Sequence, residues 1–171
     1  MTIKTAPTET MGFKTIERTD IGAFEIRNEI EIDAPIEIAF EAVLDELGPD
    51  AQSPDGSGKS LSMKFEAWPG GRWYRDLGNN TGHLWGHVQV IKPPTLLEII
   101  GPMPMSYPAM NHVQYRLKAA GGKTLLVFTH QALGLITPEH RDGMPEGWSS
   151  WLDEIRKHAE RKERSDGGRS C

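Results

Sequence analysis

The chain has 171 residues, 37% hydrophobic and 25% charged, which suits one domain with a sizeable core and excludes a disordered or membrane-embedded chain. A formal net charge of -5 argues against nucleic acid as the main partner, since phosphate binding needs a basic surface. The one cysteine is the last residue, Cys171, which rules out disulfides within the chain and cysteine-based zinc sites.

Residues 1–20 mix Thr and Glu with few apolar side chains and read as a loose arm without the apolar core of a secretory signal, so a cytoplasmic protein is expected. Ile26, Ile30 and Ile32 alternate with Arg27, Glu29, Glu31 and Asp33, the period of a half-buried strand. Asp33, Pro35 and Glu37 then suit the unpaired amides of a helix start. Ile36, Phe40, Val43 and Leu47 give that helix one apolar stripe, and Gly48-Pro49 ends it. A flexible run over residues 50–59 follows.

From residue 60 to 133 the pattern is strand, turn, strand, repeated. Leu61, Met63 and Phe65 alternate with polar neighbours, Gly70-Gly71 precedes Trp73-Tyr74, and Gly78-Asn79-Asn80 marks a turn. Residues 83–91 form a longer strand stopped by Pro93-Pro94, and residues 96–100 the next, before a Pro/Met-rich loop over 101–108. Val113, Tyr115 and Leu117 share one strand face, and Gly121-Gly122 turns the chain into residues 124–133. Such consecutive hairpins predict an antiparallel sheet. A final helix over residues 145–164 carries Trp148, Trp151, Leu152, Ile155 and Ala159 on its apolar side, followed by a disordered tail over 165–171. The expected architecture is α+β, one domain over residues 21–164, with about seven strands, a shorter helix after the first strand and a long C-terminal helix. No stretch approaches the roughly 20 apolar residues of a membrane span.

Short motifs supply little chemistry. Gly56-Ser57-Gly58-Lys59-Ser60 resembles the end of a phosphate loop, but its leading glycine would fall at Ser53 and it runs into a strand instead of a helix. Asn79-Asn80-Thr81 matches a glycosylation pattern and reads as a turn. His83 and His87 lie on one strand roughly 13 Å apart, too far to share a metal. His112 and His130 are expected on opposite sheet faces. No metal ligand set, cofactor or catalytic nucleophile is expected, and Glu139-His140-Arg141-Asp142 reads as a solvated loop.

The aromatic side chains concentrate in the sheet and the last helix, where core packing is the plain reading. His130 stands out as a polar residue within the apolar series Leu126, Phe128. It is either satisfied inside the core or serves as the polar anchor of a ligand.

Several phrases in order resemble a known family: Ile30-Glu31-Ile32-Asp33-Ala34-Pro35 before a helix, Pro69-Gly70-Gly71-Arg72-Trp73, Gly86-His87-Val88 leading to Ile91-Lys92-Pro93-Pro94, residues 124–130, and Gly147-Trp148 with Leu152. Together they resemble the domain related to the activator of heat-shock protein 90 ATPase, in the START-like, polyketide-cyclase-like superfamily. The resemblance spans residues 26–164. It implies a helix-grip fold, a bent sheet wrapped around the C-terminal helix with a cavity between them. It does not imply activation of the heat-shock ATPase, because the arm before Ile26 is too short for that activator's further domain.

The expected function is non-covalent binding of a small hydrophobic or amphipathic molecule by Phe65, Trp73, Phe128, His130, Trp148 and Leu152. Two rivals use the same chain: a cyclase- or hydratase-type enzyme with His130 as acid or base, and a co-chaperone-like interaction module. No nucleic acid or membrane insertion is expected, and a homodimer is compatible with the sequence.

Overall fold

The computed structural model describes residues 20–53 and 57–167. Residues 1–19 of the expected arm and residues 168–171 of the expected tail lie outside the described residues. The elements are β1 (Gly22–Ile32), α1 (Ile36–Leu47), β2 (Met63–Phe65), β3 (Arg72–Gly78), β4 (Thr81–Lys92), β5 (Leu96–Gly101), β6 (Ala109–Ala120), β7 (Lys123–Gly134) and α2 (Pro138–Gly167). The strands form a seven-stranded antiparallel sheet in the order β1-β7-β6-β5-β4-β3-β2. Consecutive strands pair as hairpins from β2 to β7, and β1 closes the other edge against β7. This is the α+β helix-grip arrangement, with the shorter helix after the first strand.

The alternation in the sequence sets which face is buried. On β7, Thr124, Leu126, Phe128, His130 and Ala132 turn inward, while on β6 Asn111, Val113, Tyr115 and Leu117 do so. The register sets these rows side by side: Tyr115 opposite Phe128, Val113 opposite His130 and Leu117 opposite Leu126. Directly opposite residues of an antiparallel pair hold their side chains in contact on one face. Across this face lie the stripes of the helices, with Ala39, Phe40, Val43 and Leu47 of α1 and Trp148, Leu152, Ile155 and Ala159 of α2 all buried.

The bounds of β2 and of α2 differ from the sequence expectation. The predicted strand over 61–65 shortens to Met63–Phe65 because Ser62 adopts a positive φ of 54°, which breaks extended backbone before it. The segment 139–142, expected as a loop, is the first part of α2, which starts at Pro138. Thr137 caps this start: its Oγ1 accepts from the His140 amide at 3.3 Å, and Pro138 sits where a missing N–H costs nothing. Pro145 lies inside α2 without ending it, and α2 runs on to Gly167, three residues past the predicted end at residue 164.

One turn places Trp73. Gly70 has a φ of 85°, and a Cβ on Gly71 would stand 2.0 Å from the Glu66 carbonyl oxygen. The close approach lets the Gly70 amide donate to Val88 and the Val88 amide donate to Gly71, both at 2.8 Å. Gly71→Ala is therefore expected to cost about 1–3 kcal/mol through forced backbone displacement, measured by urea unfolding. An unchanged midpoint would show that this turn yields freely.

Candidate functional site

The six residues expected to hold a ligand are not equivalent in the structure. Trp73, Phe128 and His130 are wholly buried, Leu152 and Trp148 nearly so, and Phe65 is half-buried on the edge strand β2 beside Trp73. The aromatic rings form a continuous row between the sheet and α2. Tyr115 meets Phe128 at 5.1 Å between centroids, Phe128 meets Trp148 at 4.5 Å, and Trp148 meets Trp151 at 6.2 Å. Trp151 then meets Trp73 at 6.3 Å, and Trp73 meets Trp85 at 5.0 Å.

Polar atoms thread this row in two ways. In the first, every atom is satisfied. The Trp148 Nε1–H donates to His130 Nδ1 at 2.9 Å, and His130 Nε2 lies 2.8 Å from Asn111 Oδ1. Because Nδ1 accepts, the ring proton is on Nε2 and is donated to Asn111. Asn111 Nδ2 in turn donates to the Gly101 carbonyl at 3.1 Å and the Pro102 carbonyl at 3.2 Å. This relay joins α2, β7, β6 and the 102–108 loop. Burial, with a smaller contribution from His112, lowers the pKa of His130 to about 4, so the imidazole is neutral at physiological pH. Trp73 is committed likewise, since its Nε1–H donates to the Leu47 carbonyl at 2.8 Å, at the C-terminal end of α1.

In the second way, atoms are left over. The Tyr115 hydroxyl and the indole nitrogens of Trp85 and Trp151 are buried without a hydrogen-bond partner. Tyr115 itself is wholly buried, and burial alone pushes its phenol pKa far above the usual value. Tyr115 and Asn111 are the residues that the sequence reading did not select as candidates. Tyr115 was visible on the right strand face beside Val113 and Leu117, but only the register opposite Phe128 brings it into the aromatic row.

The loop over 102–108 covers one end of this interior. Met103 and Met105 are buried, and the Tyr107 hydroxyl is hydrogen-bonded to His140 Nδ1 at 2.6 Å, which ties the loop to the start of α2. Two surface clefts flank α2. A groove of about 220 Å³ between β1 and α2 is lined by Asn28, Ile30, Ser149, Leu152 and Arg156, among others. A larger polar cleft of about 370 Å³ runs beside Trp151 and includes Glu46, Asp50, Glu154, His158 and Arg161. Neither is lined by Trp73, Phe128, His130 or Trp148.

At the larger cleft one imidazole faces three carboxylates. His158 Nδ1 is 3.0 Å from Glu46 Oε1 and 3.7 Å from Asp50 Oδ2, and Nε2 is 3.4 Å from Asp45 Oδ2. Glu46 is buried, which raises its pKa against the opposing effect of His158. No sequence spacing could have announced this group, because His158 comes from α2 and the carboxylates from the end of α1 and the turn after it.

Comparison with known proteins agrees with this architecture. No curated protein matches the sequence. An uncharacterised protein of Rhizobium leguminosarum superposes with a TM-score of 0.62 at 21% identity, covering 84% of this chain and 99% of that one. CalU16 of Micromonospora echinospora superposes with a TM-score of 0.55 at 20% identity, covering 83% of this chain and 85% of its own. The Mll3558 protein of Rhizobium loti gives 0.59 at 19% identity, covering 81% and 99%. Likeness at these identities establishes the fold. Among the described residues no helix is long and apolar enough to cross a membrane. The sequence model of the family described as activator of Hsp90 ATPase homolog 1-like protein matches residues 33–160, and the chain belongs to that family.

Proposed function

We propose that this domain binds a small hydrophobic molecule carrying an oxygen acceptor, held between the sheet and α2. The observation that carries this reading is the Tyr115 hydroxyl, wholly buried and without a partner. Leaving such a group unpaired costs about 1–3 kcal/mol, which phenylalanine at the same place would avoid. A carbonyl, ester or quinone oxygen among the rings would accept from Tyr115, and the apolar remainder would bury surface against Phe128, Trp148 and Leu152 at about 25 cal/mol per Å².

Access needs movement, because Phe128 and Trp148 are already in contact. The 102–108 loop and the groove beside Leu152 are the segments that border the interior. Phe65 and Trp73 form the far wall, with Trp73 held by its bond to Leu47. His130 orients Trp148 and reaches no ligand directly, since both of its nitrogens have protein partners. The same engagement removes the support for His130 as a catalytic acid or base.

The test is a matched pair of probes, 1-acetylnaphthalene and 1-ethylnaphthalene, titrated while the tryptophan emission is followed. The ketone is expected to bind about 2- to 10-fold more tightly, the worth of one hydrogen bond. If neither probe changes the emission up to its solubility limit, the interior is a closed core. Equal affinities would sink the acceptor assignment.

A further inference from the structure

The corner where α1 ends against α2 carries an arrangement that neither the aromatic interior nor its ligand uses. Asp45 and Glu46 occupy the last turn of α1, which holds no basic residue, and Asp50 follows just after it. Carboxylates there lie at the negative end of the helix dipole, where a cation is favoured and an acid is not. The side chains that answer them come from α2. Lys162 reaches Glu41 at 2.8 Å and Asp45 at 3.2 Å, and His158 sits among Asp45, Glu46 and Asp50.

From this geometry we infer that Asp45, Asp50 and His158, with the buried Glu46 beside them, form a binding site for one divalent transition cation, of which Zn²⁺ is the best fit. The donor set is one imidazole nitrogen with carboxylate oxygens, a mixture that suits zinc better than calcium or magnesium. Donors bonded to one zinc at about 2.0–2.2 Å stand roughly 3–4 Å from each other. The Asp45 oxygen lies 3.4 Å from His158 Nε2 and the Asp50 oxygen 3.7 Å from Nδ1, close to that scale. One donor atom from each of Asp45, Asp50 and His158 falls within 4.8 Å of the others, and the Asp50 side chain is half exposed.

Two further features separate this corner from a surface ion pair. Glu46 is buried, only 7% exposed, so its charge is shielded from solvent and gains more from a dication than an exposed acid would. The group also opens into the cleft of about 370 Å³, which gives the cation a route in and room for coordinated water.

The experiment is calorimetric titration of Zn²⁺ into the full chain after dialysis against a chelator. One equivalent is expected to bind saturably at micromolar concentration. Asp50→Asn, at a half-exposed side chain, is expected to weaken binding roughly 10- to 100-fold, and His158→Gln at least as much. His83→Ala, on an exposed histidine of β4, and Cys171→Ser should leave the affinity unchanged. Binding only near millimolar Zn²⁺, binding retained in Asp50→Asn and His158→Gln, or binding lost in His83→Ala or Cys171→Ser would each overturn the site.

Discussion

Replacing Trp148 by alanine is expected to lower the unfolding free energy by about 3–5 kcal/mol, the usual cost of emptying a large aromatic site in a core. The side chain is only 5% exposed and sits where α2 meets the sheet, with its ring on Phe128 at 4.5 Å. The same change removes the donor to His130 Nδ1, so a cavity and an unpaired buried acceptor arise together. Trp148→Phe separates the two, since it keeps most of the ring and loses the N–H. Its expected cost is about 1–3 kcal/mol, near that of leaving the imidazole nitrogen unpaired. Equilibrium urea unfolding of both variants reads the difference directly. A loss below 1 kcal/mol in Trp148→Ala would mean that α2 is not held through this contact.

The second large effect is acid destabilisation through His130. Its folded pKa is depressed to about 4, while the unfolded chain titrates near the ordinary histidine value of 6.5. Between these values the unfolded state binds a proton that the folded state refuses. The contribution is therefore complete above about pH 6.5 and is lost as the pH falls towards 4, amounting to about 3 kcal/mol over that window. His130→Gln offers an acceptor to Trp148 and a donor to Asn111 without titrating. Its stability is expected to fall less than that of the wild type across the same window, by about that amount. Parallel stability curves for the two proteins from pH 7 to 4 would show that the fold does not depress the pKa of the imidazole.

Much of the fold was legible because strands and helices differ in period. The apolar positions of β1, β6 and β7 recur every second residue, and the hairpin at Gly121-Gly122 fixes which of them meet. The parity argument that set His112 and His130 on opposite faces holds, with Val113 opposite His130 and His112 opposite Gln131. The start of α2 was not legible. The helix was expected from Pro145, but it begins at Pro138 and runs through Gly143 and Pro145, with Trp148, Leu152 and Ile155 packed against the sheet.

The candidate site was legible in its parts and not in its connections. The sequence brought forward Phe128, His130 and Trp148, and the structure does bring these three together. What spacing could not supply was the assignment of polar atoms. His130 is odd in its series because it links Trp148 to Asn111, and the atom without a partner is the hydroxyl of Tyr115, two residues from Val113 on the neighbouring strand. A tyrosine among valine and leucine reads as an ordinary aromatic, and only three-dimensional burial shows that its oxygen has nowhere to go.

The central claim, that the Tyr115 hydroxyl serves a ligand and not the fold, is tested most directly by thermal unfolding of Tyr115→Phe beside the wild type, with and without 1-acetylnaphthalene. Without the probe, the variant is expected to melt at the same temperature or a few degrees higher, because an unpaired buried hydroxyl has been removed. With the probe near 100 times its dissociation constant, the wild type gains about 2.7 kcal/mol, a rise of roughly 5–10 °C, and the variant gains clearly less at the same concentration. A variant that melts well below the wild type, yet is stabilised by the probe to the same degree, would assign the hydroxyl to the fold and contradict the proposed function.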